Sequence, residues 1–299
     1  MKTANRRHPQ NGYAMALAPY AVWSALFIVV PLAFIAYYAF TDNQFAFTTE
    51  NITRFFTATS NIVQDDGTSV EVRTYLLIFM RSVKLAVIST VICLLMGYPI
   101  AYIMAQAKER TQKTMVTLIM IPMWMNFLIR TYAWMTILQD TGIINGFLSA
   151  LGIGTVHIIG TEAAVIIAMV YDYFPYMVLP IYSILAKLDN RLLEAARDLG
   201  CGSLSVLRRV IFPLSMPGVI SGITMVLIPS ISTFYISQKL GGPGTILIGD
   251  VIESQFKTAY NPNLGAALSL VLMVLVLICV GIMNHFSSDE GEEGGIMAP

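Results

Sequence analysis

Charged residues are scarce in this sequence of 299 residues, since Asp, Glu, Lys and Arg together make up only 12% of it. A typical soluble domain carries about twice that share. Hydrophobic residues account for 56% of the chain. This composition excludes an ordinary soluble domain and indicates a chain that is largely buried in a lipid bilayer.

The sequence also lacks the common motifs of catalysis, nucleotide binding and metal binding. It has no G-x-x-x-x-G-K-[ST] phosphate-binding loop and no H-E-x-x-H motif, because its three histidines stand far apart. Cys93 and Cys279 lie in apolar stretches and Cys201 lies in a basic loop, so no pair indicates a disulfide or a metal site. We therefore predict that the chain is not an enzyme and binds no metal.

Six apolar stretches are long enough to cross a membrane, for which about 20 residues are needed. They cover residues 14–40, 83–105, 115–138, 163–185, 214–236 and 264–285. Little sequence remains between them for a separate soluble domain. The sequence therefore predicts an all-α integral membrane protein, with residues 1–299 as a single transmembrane domain of six helices.

Lys and Arg are distributed unevenly between the two sides of these spans, and loops rich in them stay in the cytoplasm. Eleven lie on the side of the termini, at Lys2, Arg6, Arg7, Lys108, Arg110, Lys113, Lys187, Arg191, Arg197, Arg208 and Arg209. The other side has only Arg54, Arg73, Lys239 and Lys257. We therefore expect both termini to be cytoplasmic.

Prolines interrupt the first five spans. Because each proline breaks a helical hydrogen bond, the pattern indicates either a bundle bent around a pathway or ordinary kinking of transmembrane helices. In the fifth span, Gly218 and Gly222 have the G-x-x-x-G spacing. This spacing predicts a close approach to a neighbouring helix, in this chain or in a partner.

The basic loop at 186–213 has a pattern that predicts two short helices. Asp189 or Asn190 is placed to cap the first helix, and Gly200 is placed to end it in the left-handed conformation. Ser203 is placed to cap a second helix that runs to Pro213. The predicted inner faces are Leu192, Leu193, Ala196 and Leu199 in the first helix and Leu204, Leu207, Val210 and Ile211 in the second. The loop is either a handle for a soluble partner or an amphipathic hairpin without one.

The same loop resembles the EAA signature of permeases in binding-protein-dependent ABC importers. That signature reads E-A-A, three residues, G, nine residues and I-x-L-P, and Glu194, Gly200 and Pro213 stand at this spacing. Val210 and Phe212 replace its Ile and Leu, which are changes between apolar residues. The resemblance implies a type I ABC importer permease fold with a cytoplasmic coupling helix.

This resemblance also implies a partner, a cytoplasmic dimer of ABC ATPase subunits that docks on the coupling helix. The residues it implies for that contact are Glu194, Ala195, Ala196, Arg197, Asp198, Gly200 and Pro213. ATP and Mg²⁺ are then expected on the ATPase, and no cofactor is expected on this chain.

A second resemblance covers nearly the whole chain and concerns the substrate. Residues 96–102, 128–134, 177–182, 192–200 and 234–237, followed by 241–242 and 247–249, are similar to the permeases of spermidine/putrescine importers. It implies a homologous second permease, an extracytoplasmic polyamine-binding protein and a location in the bacterial inner membrane. No nucleic acid is expected as a partner.

A polycation that crosses a membrane needs carboxylates and aromatic faces, and a few residues of the spans fit that need. Asp172 is the acidic residue deep in a span, with Tyr171 and Tyr176 nearby, and it is predicted either to line the path or to pair with Arg130. Further candidates for the path are Trp124, Asn126, Phe234, Tyr235 and Glu253.

Two other functions remain open on the sequence. A count of six helices, which can be divided three and three, together with Asp172, is compatible with an ion-coupled secondary transporter built from an inverted repeat. The 106–114 loop, however, has no counterpart of the segment 194–213. The second alternative is an ABC permease for a different solute, such as an anion or a sugar.

Overall fold

The computed structural model describes residues 19–63, 69–152 and 154–292. In chain order its elements are α1 (Pro19–Ala39), α2 (Glu50–Thr57), β1 (Thr59–Val63), β2 (Ser69–Arg73), α3 (Thr74–Gln106), α4 (Glu109–Trp124), α5 (Phe127–Leu138), α6 (Ile143–Ala150), α7 (Glu162–Leu185), α8 (Asn190–Asp198), α9 (Ser203–Ser232), α10 (Tyr235–Leu240), α11 (Ile248–Lys257) and α12 (Pro262–Glu292). Helices α1 and α9 each contain a π-helical turn, at Ala25–Val29 and at Leu207–Ile211.

The predicted number of spans agrees with this helical architecture. Helices α1, α3, α7, α9 and α12 are each long and apolar enough to cross a membrane, and the segment from α4 to α6 is a sixth candidate only as a bent pair. The described part of the first predicted span is helical, whereas its residues 14–18 lie outside the described residues.

The prediction of one continuous helix over 115–138 was wrong. The helix stops at Trp124, and the chain bends by 92° before it continues as a helix from Phe127. Pro122 weakens the end of α4, and Met125 and Asn126 have extended backbone conformations. Asn126 then caps α5, because its side-chain oxygen accepts a hydrogen bond from the Leu128 amide at 2.8 Å.

The fifth predicted span was also too long at its end. Helix α9 stops at Ser232, where Thr233 takes an extended conformation and the separate short helix α10 follows. The structure further contains an antiparallel hairpin of β1 and β2, paired from Thr59 with Arg73 to Val63 with Ser69, which the sequence patterns did not predict.

Helix α7 lies at the centre of the bundle, between α3 and α9. The glycines of α9 allow this contact: a Cβ at Gly218 would lie 3.0 Å from the Pro180 oxygen, and one at Gly222 would lie 2.9 Å from the Met177 sulfur. The close approach predicted from the G-x-x-x-G spacing is thus confirmed, and the neighbour is α7. Helix α1 instead packs mainly on α12 and leaves most of its apolar side chains exposed.

The loops gather at two opposite ends of the bundle. At one end, buried Met104, Leu185 and Val206 share a core that joins the basic loops. At the other end, the Gly160 amide donates a 2.8 Å hydrogen bond to the Leu240 oxygen. We call these the basic end and the far end. Helix α9, with 30 residues, spans about 45 Å between them.

Candidate functional site

A compact hairpin occupies the basic end and consists of α8 and the first turns of α9, residues 190–211, which we call the basic hairpin. The prediction that Asp189 caps α8 is confirmed, because its carboxylate accepts a hydrogen bond from the Arg191 amide at 2.9 Å. Gly200 follows α8 with φ of +82°, as predicted. Hydrogen bonds from Gly200 to Arg197 (2.8 Å) and from Cys201 to Ala196 (3.1 Å) complete a Schellman motif.

The second helix of the basic hairpin starts one residue earlier than predicted. Ser203 is its first residue and not its cap, because Gly202 takes the extended conformation of the capping position and no side chain caps the helix. Helix α9 also does not stop at Pro213. The π-turn at Leu207–Ile211 precedes this proline and lets the helix continue, since the amide of Phe212 donates to the oxygen of Leu207, five residues back.

Five of the eight residues predicted for the apolar faces of the basic hairpin are packed on the bundle. Leu193, Ala196, Leu207 and Val210 contact the core, and Ile211 is buried. Leu192, Leu199 and Leu204 are instead exposed, the last two by 85% and 77%, so the prediction of an inner position was wrong for these three. They form an apolar tip on a charged hairpin, and no part of the chain that the structure describes covers this tip.

The structure places every residue of the predicted ATPase contact on the surface of the basic hairpin or next to it. Ala196 is half-buried, and the others are exposed: Glu194, Ala195, Arg197, Asp198, Gly200 and Pro213. Glu194 and Arg197 also line a polar cavity of about 460 Å³ between the hairpin and residues 105–112.

Gln112 connects this end of the bundle to the bent third span. Its amide nitrogen donates to the oxygens of Ala105 (3.0 Å) and Ala107 (2.9 Å), and its oxygen accepts a 3.1 Å hydrogen bond from the Tyr182 hydroxyl. Gln112 lies in α4, which ends at the bend, and Tyr182 lies in α7. The start of α4 is therefore fixed to the central helix beside the basic hairpin.

Beyond the bend, Arg130 of α5 forms an ion pair with Asp172 of α7. Its guanidinium nitrogen lies 3.2 Å from a carboxylate oxygen, and the two side chains are 10% and 1% exposed. Neither carboxylate oxygen has a partner with hydrogen-bond geometry among the described residues. Of the two alternatives for Asp172, the structure contains the pairing with Arg130.

The predicted path residues fall into separate groups. Trp124 and Asn126 are exposed at the bend, where Asn126 serves as the cap of α5. Tyr171 packs edge-on against Trp134, with ring centroids 5.3 Å apart, and Tyr176 is exposed on α7. The structure therefore does not bring all of these side chains into one site.

Two of the predicted residues meet at the far end. Phe234 and Glu253 line a cavity of about 390 Å³, which also contacts Ser232 and Ser269 and which we call the far cavity. The Glu253 carboxylate accepts a hydrogen bond from Gln238 and forms an ion pair with Lys257. The Lys257 contact and the hydrogen bond from Gln238 lower the pKa of Glu253, so this carboxylate is ionised at neutral pH.

Tyr235 belongs to an aromatic cluster that sequence reasoning missed. Its ring centroid lies 5.9 Å from that of Phe127 and 6.3 Å from that of Tyr132, both of α5. The ammonium of Lys239 lies 5.6 Å from the Tyr132 centroid and 5.7 Å from the Tyr235 centroid. A signal was present, since Tyr132 and Tyr235 lie in two stretches that resemble polyamine permeases.

Asp250 is a second far-end carboxylate that the sequence did not single out. It lies in the first turn of α11, where one oxygen accepts a 2.8 Å hydrogen bond from the Leu247 amide. Burial raises the pKa of Asp250 to about 6, although hydrogen bonds from Leu247, Ser237 and Gln238 act in the opposite direction. Its position explains the oversight, because the surrounding sequence has no motif of a carboxylate site.

Comparison with known proteins gives consistent matches. Residues 97–288 match the family described as binding-protein-dependent transport system inner membrane component. The spermidine/putrescine transport system permease protein PotB of Haemophilus influenzae is 38% identical over 266 residues, which are 86% of this chain and 88% of that protein. PotB of Escherichia coli K12 is 40% identical over 204 residues, or 68% of this chain and 74% of that protein.

Solved structures have the same fold at low sequence identity. A chain of a bacterial ABC transporter involved in the import of the acidic polysaccharide alginate superposes with a TM-score of 0.75 at 17% identity, over 93% of this chain and 94% of that chain. A chain of the inward-facing MetNI methionine ABC transporter gives 0.55 at 16% identity, over 72% of this chain and 95% of that one. At these identities the likeness concerns the fold alone.

Proposed function

Since this chain belongs to the family of binding-protein-dependent transport system inner membrane components, we propose that it is the transmembrane permease of an ATP-driven importer for spermidine and putrescine. The family and the expected ABC importer permease fold are confirmed, and the chain is a multi-pass membrane protein. The observation that carries the substrate is the 38% identity to a spermidine/putrescine permease over most of both chains.

In this proposal the basic hairpin is where a cytoplasmic ATPase dimer docks. The exposed tip of Leu192, Leu199 and Leu204 supplies an apolar contact, and Glu194 and Arg197 supply charges at its side. The Schellman motif at Gly200 holds the two helices of the hairpin in a fixed relation. The hairpin is therefore suited to move as one body when the ATPase dimer closes.

Two connections carry that movement into the membrane. Helix α9 runs without a break from the hairpin to Ser232, next to Phe234 of the far cavity. Gln112 joins α4 to Tyr182 of α7, so a shift at the basic end also reaches the bend at Met125. We infer that these movements open the substrate path alternately to the two sides of the membrane.

The proposed path runs along the exposed and half-buried aromatic and acidic side chains. Phe234, Tyr235 and Glu253 lie at its far end, where an ionised carboxylate and aromatic faces favour a polycation. Trp124, Asn126, Tyr171 and Tyr176 lie deeper. Asp172 contributes through Arg130, because their ion pair fixes α5 beside the path.

The complex in this proposal has further members. A homologous second permease faces the exposed apolar surface of the bundle, and an extracytoplasmic polyamine-binding protein delivers the substrate at the far end. The basic end then faces the cytoplasm of a bacterial cell, as do both termini. ATP and Mg²⁺ are bound by the ATPase, and nucleic acid has no role.

The test is uptake in cells that carry the chain with its companion subunits. We expect radiolabelled spermidine uptake to be inhibited by unlabelled putrescine, to persist when the proton gradient is collapsed, and to stop when ATP is depleted. If neither unlabelled spermidine nor unlabelled putrescine reduced the uptake of the radiolabel, the substrate assignment would be refuted. Uptake that depends on the proton gradient and survives ATP depletion would instead favour an ion-coupled transporter and refute the coupling.

A further inference from the structure

We propose that Tyr132 and Tyr235 form a binding site for a substrate ammonium group, and that the ammonium of Lys239 occupies this site when substrate is absent. We call the two rings the tyrosine cage. This inference rests on the proposed function and adds to it a binding site for which Lys239 competes with the substrate. The ammonium of Lys239 thus takes the position of one charged group of a polyamine while no substrate is bound.

The distances place Lys239 within cation–π range of both rings. Its nitrogen lies 5.6 Å from the centroid of Tyr132 and 5.7 Å from that of Tyr235, and attraction extends to about 6 Å. The two rings meet nearly edge to face, with an interplanar angle of 79°. Two aromatic groups around one ammonium are the arrangement by which proteins bind alkylammonium ligands.

Lys239 has no carboxylate partner among the residues that the structure describes. The two carboxylates of α11 have other partners, since Asp250 accepts a hydrogen bond from the Leu247 amide and Glu253 contacts Gln238 and Lys257. A lysine in an ion pair would be difficult to displace, whereas one held by two rings and the Tyr132 hydroxyl, which are neutral groups, is exchanged more readily for another ammonium of the same charge. An ammonium group of the substrate can therefore replace that of Lys239 in the cage, and the charge between the two rings stays the same.

The backbone around the cage limits where Lys239 can go. Helix α10 carries both Tyr235 and Lys239, and its last residue is tied by the hydrogen bond from Gly160 to Leu240. A Cβ at Gly242 would clash with the Gly160 oxygen, so glycine is required for this contact. The displacement thus falls on the flexible side chain of Lys239, while Tyr235 stays in place.

The cage is also accessible and close to the other features of the proposed path. Tyr132 is 45% exposed, and Lys239 is half-buried. Tyr132 lies two residues from Arg130, which is paired with Asp172, and Tyr235 follows Phe234 of the far cavity. A polyamine with several charges can therefore place one ammonium in the cage while another approaches Glu253.

The experiment measures equilibrium binding of radiolabelled spermidine to the purified transporter, without binding protein and without ATP. We expect Lys239→Gln to lower the Kd by about twofold to thirtyfold, the range that corresponds to one cation–π contact. Tyr132→Leu and Tyr235→Leu should raise the Kd, whereas the corresponding Phe variants keep the ring, lose only the hydroxyl contacts, and should raise the Kd by less. Lys84→Gln serves as the matched control, because Lys84 pairs with Glu162 on an exposed surface and contacts neither the cage nor the proposed path.

One combination separates competition from simple charge repulsion. If Lys239 and the substrate share the cage, Lys239→Gln should not tighten binding in a Tyr132→Leu/Tyr235→Leu background. An equal gain in both backgrounds, or no gain in the single variant, would overturn the proposal.

A second probe separates this inference from the substrate assignment. Tetramethylammonium carries a single charge and should bind the Lys239→Gln variant more tightly than the wild type. If cells take up no spermidine but this difference is present, the proposed function fails and the cage stands. If spermidine is transported and neither probe responds to Lys239→Gln, the cage fails and the function stands.

Discussion

Removal of one charge from the Arg130–Asp172 pair gives the sharpest test of how the bundle is held together. Asp172→Asn keeps the shape of the side chain but leaves the guanidinium of Arg130 buried without a counter-charge. Arg130→Met/Asp172→Leu removes both charges and fills similar volumes with apolar groups. The comparison separates two contributions to the free energy of unfolding: the cost of a buried charge without a partner, and the net contribution of the ion pair.

The geometry sets the expected magnitude. At 3.2 Å, with an effective dielectric constant of about 20, the attraction between the two charges is about 5 kcal/mol. Burial of both groups offsets much of this gain, since the side chains are almost inaccessible. We therefore expect Asp172→Asn to lower the free energy of unfolding by about 3–5 kcal/mol, and the double variant to recover most of that loss.

The assay is denaturant unfolding of the purified chain in detergent, with uptake in cells measured in parallel. Glu162→Gln is the matched control, because Glu162 also lies in α7 and pairs with Lys84 at 2.7 Å, but on an exposed surface. Its loss should cost less than about 1 kcal/mol. Uptake by the double variant should follow its recovered stability, as expected if Asp172 supports the path by holding α5.

Two results would refute this reasoning. If Asp172→Asn is as stable as the wild type, the pair does not hold α5 against α7. If the double variant unfolds like the wild type but transports no polyamine, Asp172 contacts the substrate directly and its role as a support is wrong.

Further predictions concern both ends of the bundle. Glu194→Ala should abolish uptake and the coupled ATPase activity while the chain remains in the membrane; normal uptake would contradict the docking role. Gly200→Val should destabilise the basic hairpin by about 1–2 kcal/mol, because φ is +82°, and faster proteolysis there is the measurement. Gly222→Leu should destabilise the bundle by about 1–3 kcal/mol in denaturant unfolding, whereas Gly281→Leu, with no atom near its Cβ, should be neutral. Asp250 holds its proton to about pH 6 in the folded chain but only to about pH 4 when unfolded, so stability should fall by about 3 kcal/mol as pH rises between these values. Asp250→Asn should remove this part of the pH dependence.

Features with a local physical cause could be predicted from the sequence. The spans follow from long apolar runs, and the hairpin at the basic end follows from Asp189 and Gly200, whose capping roles depend on the nearest few residues. The start of α9 was misplaced by one residue because Gly202 and Ser203 both suit a helix start. Short-range chemistry therefore defined where the first helix of the hairpin begins and ends.

Features that depend on distant contacts could not be predicted in this way. The bend at Met125 lies inside a long apolar run, and Pro122 did not mark it, because α3, α7 and α9 also contain prolines and remain continuous helices. Tyr132 and Lys239 are more than a hundred positions apart, and only packing of α10 on α5 brings them together. The exposed leucines of the basic hairpin have the same periodicity as buried ones, because periodicity does not distinguish a core from a docking surface.

The unbroken course of α9 has a mechanical consequence for the whole chain. One helix of 30 residues carries the second arm of the basic hairpin at its start and reaches the far cavity at its end. Its bending stiffness therefore determines what fraction of a displacement imposed at one end arrives at the other. If α9 moves as a rigid body, the displacement of its far end is the product of its length and the angle through which the hairpin turns. A substitution that softens the middle of this helix would then reduce the yield of transport per ATP without a contact to either ATP or substrate.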